Sequence, residues 1–416
     1  MKQGWEIKRL EDVVEFQRGL TYSKKDEVDL SDNIVLRSNN IDLIKNELDF
    51  TELKYINPVI EVQESKKIKK GSLLICTANG SKSHLGKIAL IDDDYNYAFG
   101  GFMGQITPKQ KLDSRFLFYL MISDNYRTFI NELSDGANIN NLKFSDLGQF
   151  EIPLPPLPEQ QRIVSILDEA FAAFEKSKAN AEKNLKNAKE LFESYLQKVF
   201  EKNGGGWEER RFEELIQENQ IGLIKSTKEQ GSDKAYRYLK MDSITSDNNL
   251  VHDRYVYVDA DKSELEKFTL NEGDFLFNTR NSYELVGKTC VFTPKDDEPT
   301  LFNNNIMRVV LKRDISSRYV NYAFSSKLVK ERLQKLKSGT TSVVGIYFKG
   351  LRNLKIPVIK YKEQQTIVHQ LDALRAETQK LEEAYQKKID DLEELKKSIL
   401  QKAFAGELRT EKAKDQ

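Results

Sequence analysis

Cysteine, histidine and net charge are all scarce in this sequence. Two cysteines in 416 residues, Cys76 and Cys290, cannot build a disulfide framework. Three histidines and two distant cysteines leave no cluster at zinc-ligand spacing. Lys+Arg 65 balance Asp+Glu 65, so any attraction for a polyanion has to come from local bias. No apolar stretch reaches the roughly 20 residues a bilayer span needs. Met1 to Glu6 opens without an apolar signal core, and with so little cysteine this predicts a soluble protein of a reducing cytosol. The length exceeds what one hydrophobic core serves, so two or more domains are expected.

What is present is written twice. Gly4-Trp5-Glu6 recurs as Gly206-Trp207-Glu208, and Gly71-Ser72-Leu73-Leu74 is answered by Gly273-Asp274-Phe275-Leu276. Glu159-Gln160-Gln161-Arg162-Ile163-Val164 returns as Glu363-Gln364-Gln365-Thr366-Ile367-Val368, and Ile152-Pro153 and Ile356-Pro357 precede the two copies. A nearly constant long offset means two tandem units of about two hundred residues rather than a short-period solenoid. Each unit begins with short β-branched and aromatic runs between Asn, Asp and Gly turns, which reads as a globular α+β domain. Four of the nine prolines fall between Pro153 and Pro158 and mark the end of the first such domain.

Beyond the prolines, positions 164, 167, 171, 174, 178, 181, 185, 188, 192, 195 and 199 step by threes and fours, and only Lys178 among them is polar. Ile367, Leu371, Leu374, Thr378, Leu381, Tyr385, Lys388, Leu392, Leu395 and Ile399 repeat the pattern, with Thr378 and Lys388 as exceptions. These are heptad seams, and neither helix is stable with its seam bare. The two helices are expected to pair as an antiparallel coiled coil, giving a pseudo-twofold molecule with a globular domain at each end of a helical spacer. Lys178 and Lys388 are read as snorkelling to the seam edge. The expected division is residues 1–152 and 204–356 for the globular domains. Residues 153–203 form a proline hinge with the first helix, and 357–416 the second helix and tail.

This layout resembles the specificity subunit of type I restriction-modification systems. The resemblance rests on Pro153-Leu154-Pro155-Pro156-Leu157-Pro158-Glu159-Gln160-Gln161-Arg162-Ile163-Val164, its weaker copy at 357–368, the opening Gly-Trp-Glu, and two variable domains alternating with two long helices. It implies two target recognition domains, each reading half of a bipartite site in double-stranded DNA, with the helices setting the gap between half-sites. It implies two methyltransferase subunits docked on the helices, with restriction subunits as further partners, in a prokaryotic cytoplasm. S-adenosylmethionine and ATP would belong to those partners, leaving this chain with no cofactor and no metal.

Chemistry on bare residues agrees. There is no Asn/Asp-Pro-Pro-Tyr/Phe motif of an amino-methyltransferase. Gly80 to Lys87 only mimics a phosphate loop, because five residues separate its glycines where four are needed. No catalytic residue is assigned. From Lys327 to Lys362 ten Lys and Arg face one acid, Glu331, so Lys349 and Arg352 are expected at phosphates, as are Lys67 and Lys70 in the first unit. Base reading needs forked donors and acceptors on loops. Three regions per unit offer them. The first unit supplies Arg37, Asn39 and Asn40; then Asn79, Ser81, Lys82 and His84; then Asn138, Asn140 and Asn141. The second supplies Lys240; then Arg280, Asn281, Ser282 and Tyr283; then Thr340, Thr341 and Ser342. The alternative is a non-catalytic coiled-coil scaffold whose globular ends bind protein, which has no use for the basic bias.

Overall fold

The computed structural model describes residues 4–135, 141–201, 206–339 and 343–408. The chain divides into two compact units. The first comprises residues up to Glu182 together with those from Gln386, and the second is Lys183–Tyr385. Each holds one α+β domain and one end of each of two long helices, Leu157–Glu201 and Tyr361–Phe404.

In the first unit a four-stranded antiparallel sheet runs in the order Val14–Arg18, Met103–Pro108, Leu73–Cys76, Ile88–Leu90. Leu73–Cys76 is a central strand buried along its whole length, which is why it reads as an unbroken apolar run. A second sheet orders Glu27–Val28, Lys54–Ile56, Ile34–Leu36 and Ala98–Phe99, its last pair parallel. The second unit repeats the plan. Ile216–Ile221, Ile306–Leu311, Phe275–Asn278 and Thr289–Val291 form its four-stranded sheet, and Val256–Val258, Tyr236–Leu239 and Thr300–Phe302 its smaller one.

Part of the proline stretch differs from the expected extended hinge. Glu151–Leu154 is a strand paired with Glu6–Arg9, and the long helix starts at Leu157 with Pro158 in its first turn, where its missing N–H costs nothing. Lys355–Val358 pairs with Glu208–Arg211 in the same way with a single proline, so the pairing rather than proline content shapes both joints.

The helices, 45 and 44 residues long, rise roughly 67 Å each. Their pairing is antiparallel. In the first unit Lys178 Nζ meets Glu393 at 2.5 Å and Lys396 meets Glu175 at 3.4 Å. In the second, the Tyr195 hydroxyl donates to Gln370 at 3.2 Å, and Arg375 stacks on Phe192 at 4.8 Å. Partner numbers fall as helix numbers rise in both.

Ile163, Val164 and Leu167 pack with Leu400 and Ala403 in the core that also holds Leu73, Phe116 and Leu117. Leu196 and Phe200 do the same with Leu371, Phe275 and Tyr319. Domain and helix pair therefore share one core in each unit, and each fully buried Leu, Ile, Val or Phe in it contributes about 1.5–3 kcal/mol.

Every seam position of the first helix is buried or half-buried. Lys178 sits at the seam edge with its ammonium on Glu393, as snorkelling requires. Thr378 is buried, its hydroxyl satisfied by the Arg375 carbonyl. The second seam is corrected at Leu381, Lys388 and Leu395, which are exposed. Tyr385, Leu392 and Ile399, which alternate with them, stay half-buried.

Candidate nucleic-acid interface

In the first unit the buried strand Leu73–Cys76 delivers Thr77 to the mouth of the sheet. The Thr77 N–H and hydroxyl both donate to the Phe102 carbonyl at 2.9 Å, tying the loop after this strand to Gly100-Gly101-Phe102. Leu142 N–H donates to the Thr77 carbonyl at 2.6 Å and Ala78 pairs with Asn141, which brings in the third predicted region. The Asn79 amide donates to Ser38 Oγ at 3.0 Å and brings in the first. The first two predicted stretches therefore meet around one groove of about 710 Å³, lined by Tyr22, Lys24, Arg37, Asn39, Asn79 and Phe102 among others, with Asn141 tied to Ala78 beside it.

Within that groove Arg37 stands out. Its Nε is buried without a hydrogen-bond partner, and its guanidinium makes no ion pair among the described residues. Arg308 Nε in the sheet of the second unit is in the same state, and what distinguishes Arg37 is its place in the groove lining. Tyr22 forms the facing wall, its hydroxyl pKa raised first by burial and then by Glu27. Phe102, 74% exposed, is an apolar group at the rim. Asn39 and Ser81 are exposed, as is Lys82, and His84 lies half-buried in a neighbouring depression with Lys87. The His84 pKa is lowered by burial and by Lys87 and Arg127.

A glycine in each unit allows two loops to meet. A Cβ at Gly19 would lie 2.1 Å from the Gly100 carbonyl oxygen, and one at Gly222 would lie 2.3 Å from that of Asn303. Only glycine lets these two segments touch.

The second unit assembles the same parts with different chemistry. Thr279 N–H donates to the Asn305 carbonyl at 2.8 Å and Ile346 N–H to the Thr279 carbonyl at 2.9 Å. Arg280 and Asn281 pair with Gly345 and Val344. Fully buried Asn278 donates to the Arg280 and Asn305 carbonyls and accepts from the Asn281 amide, all at 3.0 Å. Arg280 is exposed and has no ion pair among the described residues, and Lys240 is half-exposed. Ser282 N–H is held by Asn281. Tyr283 carries Lys337 Nζ over its ring at 4.4 Å. Where the first unit has Phe102, the second has Asn305.

A lysine backs the first loop of each unit. Lys87, buried, donates to the Ile41 carbonyl at 2.9 Å; Lys288 donates to Met241 O at 3.1 Å and also to Ile244 O. Burial lowers both pKa values.

Other predicted residues are engaged within the protein itself. Asn40 is 0% exposed and its side chain is spent on the Asp49 and Glu52 carbonyls and the Arg37 N–H, so it shapes the loop from inside. Lys67 is held by Glu64 at 2.6 Å and Lys70 by Asp93 at 3.5 Å, and neither lines the groove. The basic run of the second unit is partly neutralised by acids outside it. Arg352 pairs with Glu213 at 2.8 Å, while Glu209 takes Lys355 at 3.5 Å and also Arg332. Lys349 remains exposed. Asn138, Asn140, Thr340, Thr341 and Ser342 lie outside the described residues.

Thr21, Tyr22, Lys24 and Phe102 were not anticipated from sequence. A signal existed: Gly19-Leu20 and Gly222-Leu223 are another repeated pair, and Gly100-Gly101 marks a close backbone approach. Among the described residues no group of His, Cys, Asp and Glu could hold a metal ion. The arrangement presents donors, acceptors and apolar groups on loops anchored by rigid strands, which is the equipment of a reader of base edges.

The profile of the type I restriction modification DNA specificity domain matches the chain twice, over residues 2–185 and 204–391. This chain belongs to that family. Among type I specificity subunits, it is 29% identical to that of EcoKI from Escherichia coli (strain K12), over 98% of this chain and 90% of the relative. It is 27% identical to that of StySPI from Salmonella potsdam, with the same coverage. In fold, it matches a chain of a type I R-M system, solved for complex assembly and conformational transition, with a TM-score of 0.77 at 21% identity, covering 98% of this chain and 99% of that one. The HsdS subunit from Thermoanaerobacter tengcongensis gives 0.61 at 20% identity, covering 98% of each. The resemblance drawn from the proline-led Glu-Gln-Gln motif and the duplicated layout is thus borne out, as are the antiparallel helix pair and the α+β domains. No helix among the described residues is long and apolar enough to cross a membrane.

Proposed function

We propose that this chain is the DNA sequence-recognition subunit of a type I restriction-modification complex, with no catalysis of its own. Residues 1–152 and 204–356 are its target recognition domains, each reading one half of a bipartite site. Residues 153–203 and 357–416 carry the helices that set the spacing between half-sites and dock two methyltransferase subunits. Restriction subunits are further members of the complex, and S-adenosylmethionine and ATP are handled by these partners in a prokaryotic cytoplasm.

The observation that carries this reading is that, in each unit, the polar loop after the buried central strand is tied to loops distant in sequence. It occurs in a chain whose family is defined by DNA specificity, and the polar content differs between units. Arg37, Asn39, Asn79, Tyr22 and Phe102 read bases in the first unit; Lys240, Arg280, Asn281 and Tyr283 do so in the second. Ser81, Lys82, His84 and Asn141 flank the first site, and Lys24 and Lys349 contact phosphates. The scaffold alternative does not explain the family match.

Exchanging residues 1–152 for the equivalent domain of another family member tests the reading. Mapping of methylated bases in cells that also carry the methyltransferase should show one half-site changed and the other kept. A change in both halves would refute independent reading.

A further inference from the structure

The Glu-Gln-Gln motif stands at the start of each long helix, and its middle residue is buried in both copies. Gln160 is 0% exposed and Gln364 1%. Gln160 Oε1 accepts the Asp113 N–H at 2.8 Å, and its amide donates to the carbonyls of Lys111 at 2.9 Å and Pro155 at 2.8 Å. Gln364 accepts the Ser316 N–H at 2.9 Å and donates to Ile359 O at 2.7 Å and Asp314 O at 3.3 Å. Asp113 and Ser316 are the N-caps of the recognition-domain helices Ser114–Met121 and Ser317–Ser325. One buried glutamine thus joins the long helix, the chain entering it and the cap of a domain helix.

Eight residues further along each long helix stands a second clamp. Asp168 accepts the Tyr119 hydroxyl at 2.6 Å and Arg115 Nη2 at 2.7 Å. Asp372 accepts the Tyr322 hydroxyl at 2.7 Å and Arg318 Nη1 at 2.6 Å. Arg and Tyr sit four apart on the domain helix, so both project to one side, and the aspartate takes both. Eight helical residues place the two clamps about 12 Å apart along the axis. Between the two clamps the shared core joins domain to helix through Ile163, Val164 and Leu167 in the first unit and Leu371 in the second, and the polar clamps, directional where apolar packing is not, set the angle at which that core closes. Charge-assisted hydrogen bonds to a carboxylate are the short, directional kind suited to that task.

Resting on the reading of this chain as a recognition subunit, we propose that Asp168 and Asp372, with the Arg–Tyr pair each holds, are positioning residues for half-site spacing. They fix the angle between each recognition domain and its helix, and so select one gap length. Gaps come in steps of one base pair, about 3.4 Å, so a modest swivel at the clamp is enough to admit a neighbouring gap. The bases themselves are read elsewhere, so half-site sequences are untouched.

The test uses the full chain with its methyltransferase, comparing Asp168→Asn and Asp372→Asn with the unaltered chain. Tyr119→Phe, which removes one hydroxyl, is the milder second variant should Asp168→Asn fold poorly. Methylation is read at sites with the native gap and with gaps one base pair longer and shorter. The native chain should prefer its gap by at least about 100-fold, and the variants by less than about 10-fold, with both half-sites unchanged. A merely structural role would lower occupancy at every gap alike. That result, an unrelaxed gap preference, or a loss of half-site sequence in a folded variant would each overturn the proposal. If the native chain directed no bipartite methylation, the recognition reading itself would fall, and the positioning role with it.

Discussion

Arg37→Met separates base reading from phosphate attraction. The side chain keeps its length and loses its five donors. A bidentate arginine–guanine contact contributes about 1–3 kcal/mol of discrimination, so affinity for the native half-site should fall about 5- to 150-fold. The loss should be confined to one base pair, a G·C, since variants of that pair are already poor ligands of the unaltered chain. Stability should move the other way or not at all. Arg37 Nε is buried without a partner, and an unsatisfied buried donor costs about 1–3 kcal/mol. Removing it should leave the melting temperature unchanged or a few degrees higher. The assay is fluorescence anisotropy of the assembled complex on duplexes permuted at each position of the first half-site, repeated across salt. A phosphate contact would reduce the slope of log K against log salt by about one and weaken all sequences alike. That outcome, or a lowered melting temperature with discrimination intact, would refute the assignment.

Gly19→Ala forces a Cβ to 2.1 Å from a carbonyl oxygen that cannot yield. The first unit should lose about 3 kcal/mol, lowering its melting temperature by roughly 6–12 °C; a shift under 2 °C would contradict the close approach. Lys178→Glu should destabilise the helix pair by about 1 kcal/mol and Glu393→Lys in the same chain should restore it, as read by thermal unfolding; additive losses would mean the 2.5 Å pair does not form. Hydrogen bonds from Arg237, then from the Glu298 backbone, hold the Asp296 carboxyl at about 2, below its ordinary 3.8. A depressed carboxyl contributes stability that is complete above its unfolded pKa and disappears as pH falls through about 2. Asp296→Asn should therefore flatten the loss of stability between pH 4 and 2, and an unchanged pH slope in chemical denaturation would remove Asp296 from the account.

The duplication, the domain class and the helix pair were legible because each rests on a periodicity that sequence displays directly. The first and second polar stretches of each unit were legible as regions, because turn residues announce loops. Individual roles within them were not. Asn40 and Asn39 are neighbours of the same type, yet one is buried and structural while the other faces the groove. Which amide turns inward depends on carbonyls at Asp49 and Glu52 that no local pattern predicts. The basic run suffered likewise: Glu209 and Glu213, more than a hundred residues upstream, claim three of its ten cations. The Glu-Gln-Gln motif marked a boundary by its repetition, but its use as a clamp needs the cap residues of a distant helix. Leu381 and Leu395 fit the heptad yet are exposed, because a repeat gives the spacing of apolar residues and not which of them the partner helix covers.

The central claim is that this chain confers a bipartite sequence preference on a methyltransferase. Genome-wide mapping of methylated bases, in cells carrying the methyltransferase with and without this chain, tests it most directly. A two-part motif with one fixed gap should appear only when the chain is present. An assembled complex that methylates no such motif would contradict it.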